Sequence, residues 1–167
     1  MAVVFVGGGA RSGKSSYALA LARKRGTRLV FIATAQPIND DDMQARIDRH
    51  RADRGPDFIT IEEPLEIAGA IQRADADAIV VDCLTLWLSN LMVKRRDIAA
   101  DTEHVVDAAR SSAATVIFVS NEVGCGIHPE TAIGREFRDR AGFLNQRVAN
   151  AADEVYYMVF GQALRVK

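Results

Sequence analysis

The fold is decided by eight consecutive residues, Gly8-Gly9-Ala10-Arg11-Ser12-Gly13-Lys14-Ser15. Their spacing, Gly-x4-Gly-Lys-Ser, is that of a loop that wraps around the phosphates of a nucleotide. An apolar segment at residues 2–6 precedes them, and an Ala- and Leu-rich segment at residues 16–25 follows. A strand before the loop and a helix after it are the context that this spacing requires. We therefore predict that all eight residues contact a nucleotide.

The residue types of this loop follow from the chemistry of phosphate binding. Glycines permit backbone angles that are closed to other residues, and they let N–H groups approach phosphate oxygens. The helix that begins near Gly13 directs the positive end of its dipole at the same anion. Lys14 is predicted to be catalytic, since it reaches the β- and γ-phosphates, and the Ser15 hydroxyl is predicted to bind Mg²⁺.

A second element of the expected site is a carboxylate at the end of a buried strand. Residues 78–82, Ala-Ile-Val-Val-Asp, form an apolar run that ends at Asp82. In P-loop proteins an acid in this position holds Mg²⁺ directly or through water. A strand-end Asp can also cap the following helix. With a phosphate loop in the same chain, we favour contact of Asp82 with the metal or the nucleotide.

Short apolar segments alternate with helical patterns along the rest of the chain. We predict strands at residues 2–6, 28–33, 58–61, 78–82, 115–120 and 155–160, with a weaker edge strand at 163–166. We predict helices at residues 16–25, 41–54, 64–73, 84–96, 102–113 and 132–152. Near-continuous apolar strands separated by helices are typical of a parallel sheet covered on both faces. The predicted fold is one α/β P-loop domain over residues 1–167, with a doubly wound, mostly parallel sheet.

The composition excludes several classes of protein. With 49% hydrophobic and 26% charged residues, the chain has the composition of a globular domain. Its net charge of -1 gives no electrostatic reason to expect nucleic acid or an anionic membrane as a partner. No apolar run approaches the roughly 20 residues that span a bilayer, and the apolar N-terminus has no basic leader. Cys83 and Cys125 have no metal or redox spacing, so we predict reduced thiols in or near the core and a cytoplasmic location.

Three classes of enzyme or motor share the phosphate loop. A signalling GTPase needs Asn-Lys-x-Asp to read guanine, and the sequence has no such motif. A RecA-like motor or DNA-binding ATPase is usually larger and has basic loops, whereas the only dense basic cluster here is Lys94-Arg95-Arg96. A small-molecule kinase or a nucleotidyltransferase suits the length best. A nucleotide-sensing protein without turnover is a further alternative.

Six segments in a fixed order resemble those of one family over essentially the whole length of the chain. The sequence is similar to the bifunctional adenosylcobinamide kinase/adenosylcobinamide-phosphate guanylyltransferases of cobalamin synthesis. The resemblance is carried by the phosphate loop, Ile32-Ala33-Thr34-Ala35, Met43-x-x-Arg46-Ile47-x-x-His50-Arg51, Val81-Asp82-Cys83-Leu84-Thr85-Leu86-Trp87-Leu88-Ser89-Asn90, Ser120-Asn121-Glu122-Val123-Gly124-Cys125-Gly126 and Phe137-Arg138-Asp139-Arg140-Ala141-Gly142-x-x-Asn145-Gln146.

This resemblance implies a RecA-like fold, a homo-oligomer that is typically a trimer, and two reactions. The first phosphorylates the aminopropanol hydroxyl of adenosylcobinamide with ATP or GTP. The second transfers GMP from GTP to that phosphate, releases pyrophosphate and yields adenosylcobinamide-GDP. It passes through a GMP-histidine, and the matching position in this sequence is His50. Mg²⁺ and the two nucleotides are the implied cofactor and substrates.

The resemblance also implies residues that contact GTP or its metal. These are Thr34, with Ala33 and Ala35 beside it, and Arg51, Glu62 and Asp82. A carboxylate can accept the N1–H and N2–H groups of guanine, which would suit Glu62 or Asp82. Capping of the turn at Pro64 is the alternative for Glu62. Arg46 can either bind phosphate or pair with the acidic turn Asp40-Asp41-Asp42.

The chemistry and position of His50 also suit a nucleophile. It shares the apolar face of the predicted helix at residues 41–54 with Met43 and Ile47, which would turn its ring inward. A neutral imidazole has a free lone pair near pH 7, and a covalent intermediate divides one difficult displacement into two. We interpret His104 as a surface residue, while His128 can line the cleft. If His50 were only a surface residue, the chain would be a single-activity P-loop kinase.

Overall fold

The computed structural model describes residues 1–36 and 54–167. The helix that we predict at residues 41–54 lies outside the described residues except for Arg54. His50, Arg51 and Arg46 also lie outside them, so the expectations for these three side chains are not tested by the fold.

The described strands form one sheet of seven. Their order across the sheet is β3-β2-β4-β5-β1-β6-β7, and only the pairing of β6 with β7 is antiparallel. All seven predicted strands are confirmed, with ends that move by one or two residues, and β7 is the predicted edge strand. Their bounds are β1 Val3–Gly8, β2 Leu29–Ala33, β3 Phe58–Glu62, β4 Ala78–Asp82, β5 Thr115–Asn121, β6 Glu154–Val159 and β7 Gln162–Arg165.

Five helices connect these strands in the part of the chain that the structure describes. Three begin away from the predicted residue: the first begins two residues early, at Lys14, and for the other two local hydrogen bonds fix the start. The fourth begins four residues early, because the Asp97 carboxylate accepts from the N–H of Ala100 and caps it there. The second begins after the predicted Pro64, because the Glu63 carboxylate holds the preceding turn. The helices are α1 Lys14–Arg23, α2 Ile67–Arg73, α3 Leu84–Val93, α4 Ile98–Ser111 and α5 Ala132–Ala151.

The core lies on both faces of the sheet. Alternate residues of β1 show this, since Val3 and Phe5 pack on one side and Val4 and Val6 on the other. The side of Val3 is covered by α2, α3, α4 and α5, and the side of Val4 by α1. This arrangement confirms the doubly wound α/β prediction. Among the described residues, no helix combines the length and the hydropathy needed to cross a membrane.

The two cysteines differ in their surroundings. Cys83 is buried beside Asp82, and burial raises the pKa of its thiol to about 11, so it behaves as a packed core residue. Cys125 is exposed in the loop after β5. The prediction that both thiols are in or near the core is therefore wrong for Cys125, because its loop extends beyond the sheet and contributes no strand residue there.

An ion pair and two backbone bonds close the end of the sheet opposite the phosphate loop. The Asp77 carboxylate accepts from the backbone N–H groups of Arg28 and Thr27, each at 2.9 Å, and from the Arg28 guanidinium at 2.7 and 3.0 Å. These bonds, led by the backbone N–H of Arg28, lower the pKa of Asp77 to about 2. Asp75 also pairs with Arg28, but its side chain is 87% exposed.

We expect Asp77→Asn to lower the melting temperature at pH 7. Because the folded-state pKa lies below that of the unfolded chain, the stabilisation is present above about pH 4 and is lost as the pH falls towards 2. The difference in melting temperature between wild type and variant should therefore shrink over that interval in a calorimetric series. Asp75→Asn is the matched control and should change the melting temperature little. Equal effects of the two variants would contradict this role of Asp77.

Candidate nucleotide-binding site

The parallel strands bring several of the predicted site residues to one edge of the sheet. β1, β2 and β4 end at Gly8, Ala33 and Asp82, and β5 ends beside them at Asn121. The ladder pairs Gly8 with Asn121 and Ala33 with Asp82. Ligands bind in open α/β sheets at the carboxyl ends of the strands. The predicted residues from three separate parts of the sequence therefore meet where a ligand is expected.

Two glycines of the phosphate loop are required by its backbone. Gly13, immediately before α1, has φ of 94°. A Cβ atom there would stand 3.3 Å from the Cα of Gly161. At Gly8, a Cβ atom would lie 2.9 Å from the carbonyl oxygen of Met158 in the neighbouring strand. The tight packing explains why the loop has no side chains at these two positions.

The turn between β6 and β7 supports the other side of this loop. It consists of Phe160 and Gly161, both with positive φ, as expected for a two-residue hairpin. The N–H of Gly161 donates to the carbonyl of Ser12 at 3.2 Å. On the opposite side, the N–H of Glu122 donates to the carbonyl of Gly8 at 2.9 Å. The phosphate loop is therefore fixed from both neighbouring strands.

Lys14 is a buried cation inside the loop. Its side chain is 7% exposed, and its Nζ donates to the carbonyl of Gly9 at 2.5 Å and to the Ser12 hydroxyl at 3.5 Å. Burial lowers the pKa of Lys14, and the negative charge of Asp82 opposes that shift. The loop lysine and the acid at the end of β4 are therefore close enough to interact electrostatically. The negative charge of a bound polyphosphate would further stabilise the charged form of Lys14.

Ser15 and Asp82 suit Mg²⁺ by the chemistry of their donor atoms. Ser15 lies in the first turn of α1 and is half-buried, and the Asp82 carboxylate ends β4. A hydroxyl and a carboxylate are hard oxygen donors, and Mg²⁺ is usually held by one or two carboxylates together with substrate phosphates. In the described ranges, no group of three His, Cys, Asp or Glu side chains is arranged as a metal site. A substrate-completed Mg²⁺ site of this kind does not need one.

Thr34 is fully buried and bonds to the backbone of the Asp82 strand end. Its hydroxyl donates to the carbonyl of Cys83 and accepts from the N–H of Cys83, both at 2.8 Å. The carbonyl of Thr34 accepts from the Asn90 side chain at 2.8 Å. The peptide bond between Asp82 and Cys83 is cis. The Thr34 hydroxyl therefore holds the backbone that follows Asp82.

Glu62 lies at the end of the edge strand β3 and is exposed, with Ala33 opposite it in the ladder. The turn at Pro64 is capped by a different side chain. The neighbouring Glu63 carboxylate accepts from the N–H groups of Leu65 and Glu66 instead. Ala35 follows Thr34 and is half-buried. Glu62 and Ala35 thus remain at the same sheet edge as the phosphate loop.

Two histidines are described, and both are exposed. His104 lies in α4, as the surface interpretation predicts. His128 lies in the loop after β5, where its Nδ1 is 2.7 Å from the Arg138 guanidinium. Arg135 donates to the carbonyls of Pro129 and Glu130 in the same loop. Arg135 and Arg138 therefore attach this loop to α5.

Sequence reasoning missed a cluster of polar side chains beneath the end of β5. We call it the Thr85 cluster and define it as Thr85, Ser120, Asn121 and Asn145. Thr85 and Ser120 are buried, and hydrogen bonds join the four residues. All four lie in the segments that carry the family resemblance. The family resemblance therefore pointed to each of the four residues, but their spacing along the chain did not indicate that they contact one another.

The sequence matches the family model described as cobinamide kinase / cobinamide phosphate guanyltransferase over residues 4–166. It is 40% identical to the bifunctional adenosylcobalamin biosynthesis protein CobP of Pseudomonas aeruginosa, over 96% of this chain and 94% of that one. The solved structure of the flagellar accessory protein FlaH from Methanocaldococcus jannaschii aligns with a TM-score of 0.56 at 11% identity, covering 99% of this chain and 78% of that one. The RadB recombinase aligns with a TM-score of 0.50 at 14% identity, covering 93% and 73%. At such identities the two structures show the fold alone, which is RecA-like.

We expect Lys14→Met to abolish nucleotide binding without lowering the melting temperature of the nucleotide-free protein. The substitution removes a buried charge whose desolvation opposes folding, so the nucleotide-free protein should melt at the same temperature as wild type or higher. A nucleotide at about 100 times its dissociation constant stabilises a protein by about 2.7 kcal/mol, and this gain should be lost in the variant. Thermal melting with and without Mg-GTP or Mg-ATP measures both effects. Lys24→Met, at the exposed end of α1, is the control and should keep the nucleotide-dependent shift in melting temperature. A full shift in Lys14→Met would contradict the assignment of Lys14 as a phosphate-binding residue.

Proposed function

Because the chain belongs to the cobinamide kinase / cobinamide phosphate guanyltransferase family, we propose that it carries out both reactions on one corrinoid substrate. It phosphorylates adenosylcobinamide with ATP or GTP and then transfers GMP from GTP to the new phosphate. The observation that carries the proposal is the phosphate loop with buried Lys14, placed beside the Asp82 strand end in a chain that matches the family from end to end.

In the kinase step, the aminopropanol hydroxyl oxygen of adenosylcobinamide bonds to the γ-phosphorus of the nucleotide. The bond from that phosphorus to the β–γ bridging oxygen breaks, the electron pair leaves with the nucleoside diphosphate, and the hydroxyl proton is released. Negative charge is spread over the transferred group and the leaving oxygen in the transition state. We propose that the Lys14 ammonium, the loop N–H groups and the N-terminus of α1 stabilise that charge.

In the guanylyl step, we propose that a ring nitrogen of His50 bonds to the α-phosphorus of GTP and that pyrophosphate leaves. An oxygen of the cobinamide phosphate then bonds to the same phosphorus and the N–P bond breaks, which frees the imidazole. His50 lies outside the described residues, so this role rests on family membership and on the chemistry of imidazole. Arg51, beside it, is proposed to bind GTP phosphate.

We propose the remaining nucleotide-binding residues because they lie at the same edge of the sheet as the phosphate loop. Glu62 is a candidate for the guanine edge, and Ala33 and Ala35 line the same strand ends. Mg²⁺, when bound by Ser15, Asp82 and the phosphates, would neutralise charge on the polyphosphate. Thr34 would act by holding the Asp82 strand end through Cys83.

We also propose a homotrimer in the cytoplasm, without a nucleic-acid partner. The net charge of -1 supports the last point, and large apolar side chains such as Val93, Ile133 and Phe143 are exposed in the single chain and suit subunit contacts. Light scattering coupled to size-exclusion chromatography should give three times the 18.2 kDa mass of one chain. A monomer at micromolar concentration would contradict the trimer without affecting the enzyme proposal.

GTP labelled on its α-phosphate tests the proposed covalent step. We expect wild-type protein to become labelled with GMP, and the label to survive alkali and to be lost in acid, as an N–P bond requires. His50→Ala should abolish the label because it removes the nucleophile. Mass spectrometry of the labelled protein should locate GMP on His50.

His104→Ala is the matched control, since His104 is an exposed histidine on α4 away from the strand ends. It should label like wild type. Unchanged labelling of His50→Ala would exclude His50 as the nucleophile. Cobinamide-dependent nucleotide turnover without any labelling would instead indicate a single-activity kinase.

A further inference from the structure

We propose that the side-chain amide of Asn121 donates a hydrogen bond to the γ-phosphoryl group during the kinase step, and that the other residues of the Thr85 cluster hold it in position. This inference rests on the proposed kinase activity and adds a residue with a specific role in it.

The position of Asn121 in the sheet is the first argument. β5 lies between β1, which leads into the phosphate loop, and β4, which ends at Asp82. Asn121 is the last residue of β5 and pairs with Gly8 in the ladder. The next N–H along the chain, that of Glu122, donates to the carbonyl of Gly8. Asn121 is therefore attached to the first residue of the loop, on the side towards Asp82.

The second argument is that hydrogen bonds fix the backbone of Asn121 on both sides. Its N–H donates to the Thr85 hydroxyl at 2.8 Å, and its carbonyl accepts from the Asn145 amide at 3.1 Å. The Ser120 hydroxyl donates to Asn145 Oδ1 at 2.6 Å, which orients the Asn145 amide. Thr85 is 9% exposed and Ser120 is 1% exposed, so water competes little for these bonds. Helices α3 and α5 thus hold one strand-end residue between them.

The third argument concerns the hydrogen-bonding capacity that the Asn121 side chain retains. Its Nδ2 has two N–H groups, and the structure shows one contact for it, to Thr85 Oγ1 at 3.4 Å. Within the described ranges, no other hydrogen bond involves the Asn121 side chain. The residue is half-buried at the sheet edge, so part of it is accessible to a ligand. The side-chain amide of Asn121 therefore has a second N–H group available, and the backbone of this residue is already fixed.

An amide suits this place chemically. The γ-phosphoryl group carries its charge on three oxygens as its bond to the leaving oxygen breaks, and donors aimed at those oxygens lower the barrier. Lys14 provides full positive charge at the site, as a bound Mg²⁺ would, and a neutral donor adds a directed hydrogen bond without another desolvated charge. In the guanylyl step the reacting atom is the α-phosphorus, and the γ-phosphate leaves as part of pyrophosphate. An amide placed for the γ-phosphoryl group should therefore serve mainly the kinase step.

The competing interpretation is that the cluster only attaches α3 and α5 to β5. A purely structural role predicts that substitutions destabilise the protein and reduce both reactions together. A role at the γ-phosphate predicts that one reaction falls and the other does not. The two half-reactions therefore discriminate between these interpretations.

Asn121→Ala tests the proposal in the full-length protein. With adenosylcobinamide and ATP, kcat should fall about 100-fold, as when one directed donor to a transition state is removed, while KM for ATP changes less than about threefold. Formation of the GMP-enzyme from labelled GTP should stay within about threefold of wild type. Asn121→Asp is nearly isosteric and puts a negative charge near the phosphate, so its kinase kcat should fall further. It also serves for the same comparison if the alanine variant does not fold.

Thr85 tests the positioning part of the proposal. Thr85→Val keeps the shape but removes the hydroxyl that accepts from Asn121, so the kinase kcat should fall about tenfold or more with less effect on GMP-enzyme formation. Thr85→Ser keeps the hydroxyl and should restore most of the activity. Thr115→Val is the matched control, because Thr115 is a buried threonine at the opposite end of β5. It should leave both half-reactions near wild type.

Three outcomes would overturn the proposal. Equal losses in both half-reactions would assign the cluster a structural role, and unchanged kinase activity in both Asn121 variants would exclude the contact. A wild-type protein that forms the GMP-enzyme but shows no kinase turnover would remove the proposed kinase function and this inference with it. Only this last result is measured on the wild-type protein without any variant. Failure of the proposed kinase function can therefore be distinguished from failure of the Asn121 inference.

Discussion

The buried ammonium group of Lys14 is the constraint on which the site depends. Burial opposes its charge, and the loop carbonyl of Gly9 and the carboxylate of Asp82 act in the other direction. A buried cation of this kind needs charged and hydrogen-bonding partners, and those partners must be held in place around it. The neighbouring strands provide this, since β5 bonds to the loop at Gly8 and the turn after β6 bonds to it at Ser12. The site is therefore electrostatically prepared for an anion before one binds.

Local sequence patterns predicted the elements of the sheet well, but they did not predict its order. Each strand has an apolar run that is visible within six or seven residues, whereas the position of β5 between β1 and β4 depends on pairing between distant segments. This position is what brings Asn121 to the phosphate loop. Helix starts were missed for a different reason: the Asp97 cap acts through one side-chain bond, which hydrophobic periodicity does not reveal.

The sequence predicted which residues belong to the candidate site better than it predicted where their side chains point. The phosphate loop and Asp82 follow from motifs whose residues are adjacent in sequence, and the structure brings them together. For Thr34, the sequence marks the position but not the direction of the hydroxyl, which bonds to Cys83 in the core. Cys125 was misplaced because it lies between two glycines in the loop after β5, and this local sequence does not indicate whether its side chain is exposed. Side-chain direction and loop path are set by packing between distant segments, so a single sequence contains little information about them.

The support of the phosphate loop has a consequence for how the protein is made. The loop is formed by residues 8–15, but its two lateral supports come from Glu122 and Gly161, more than a hundred positions further along the chain. On the ribosome, the loop leaves the exit tunnel long before either support exists. The loop therefore acquires both lateral supports only after the last strands have joined the sheet, so its final conformation depends on nearly the whole chain.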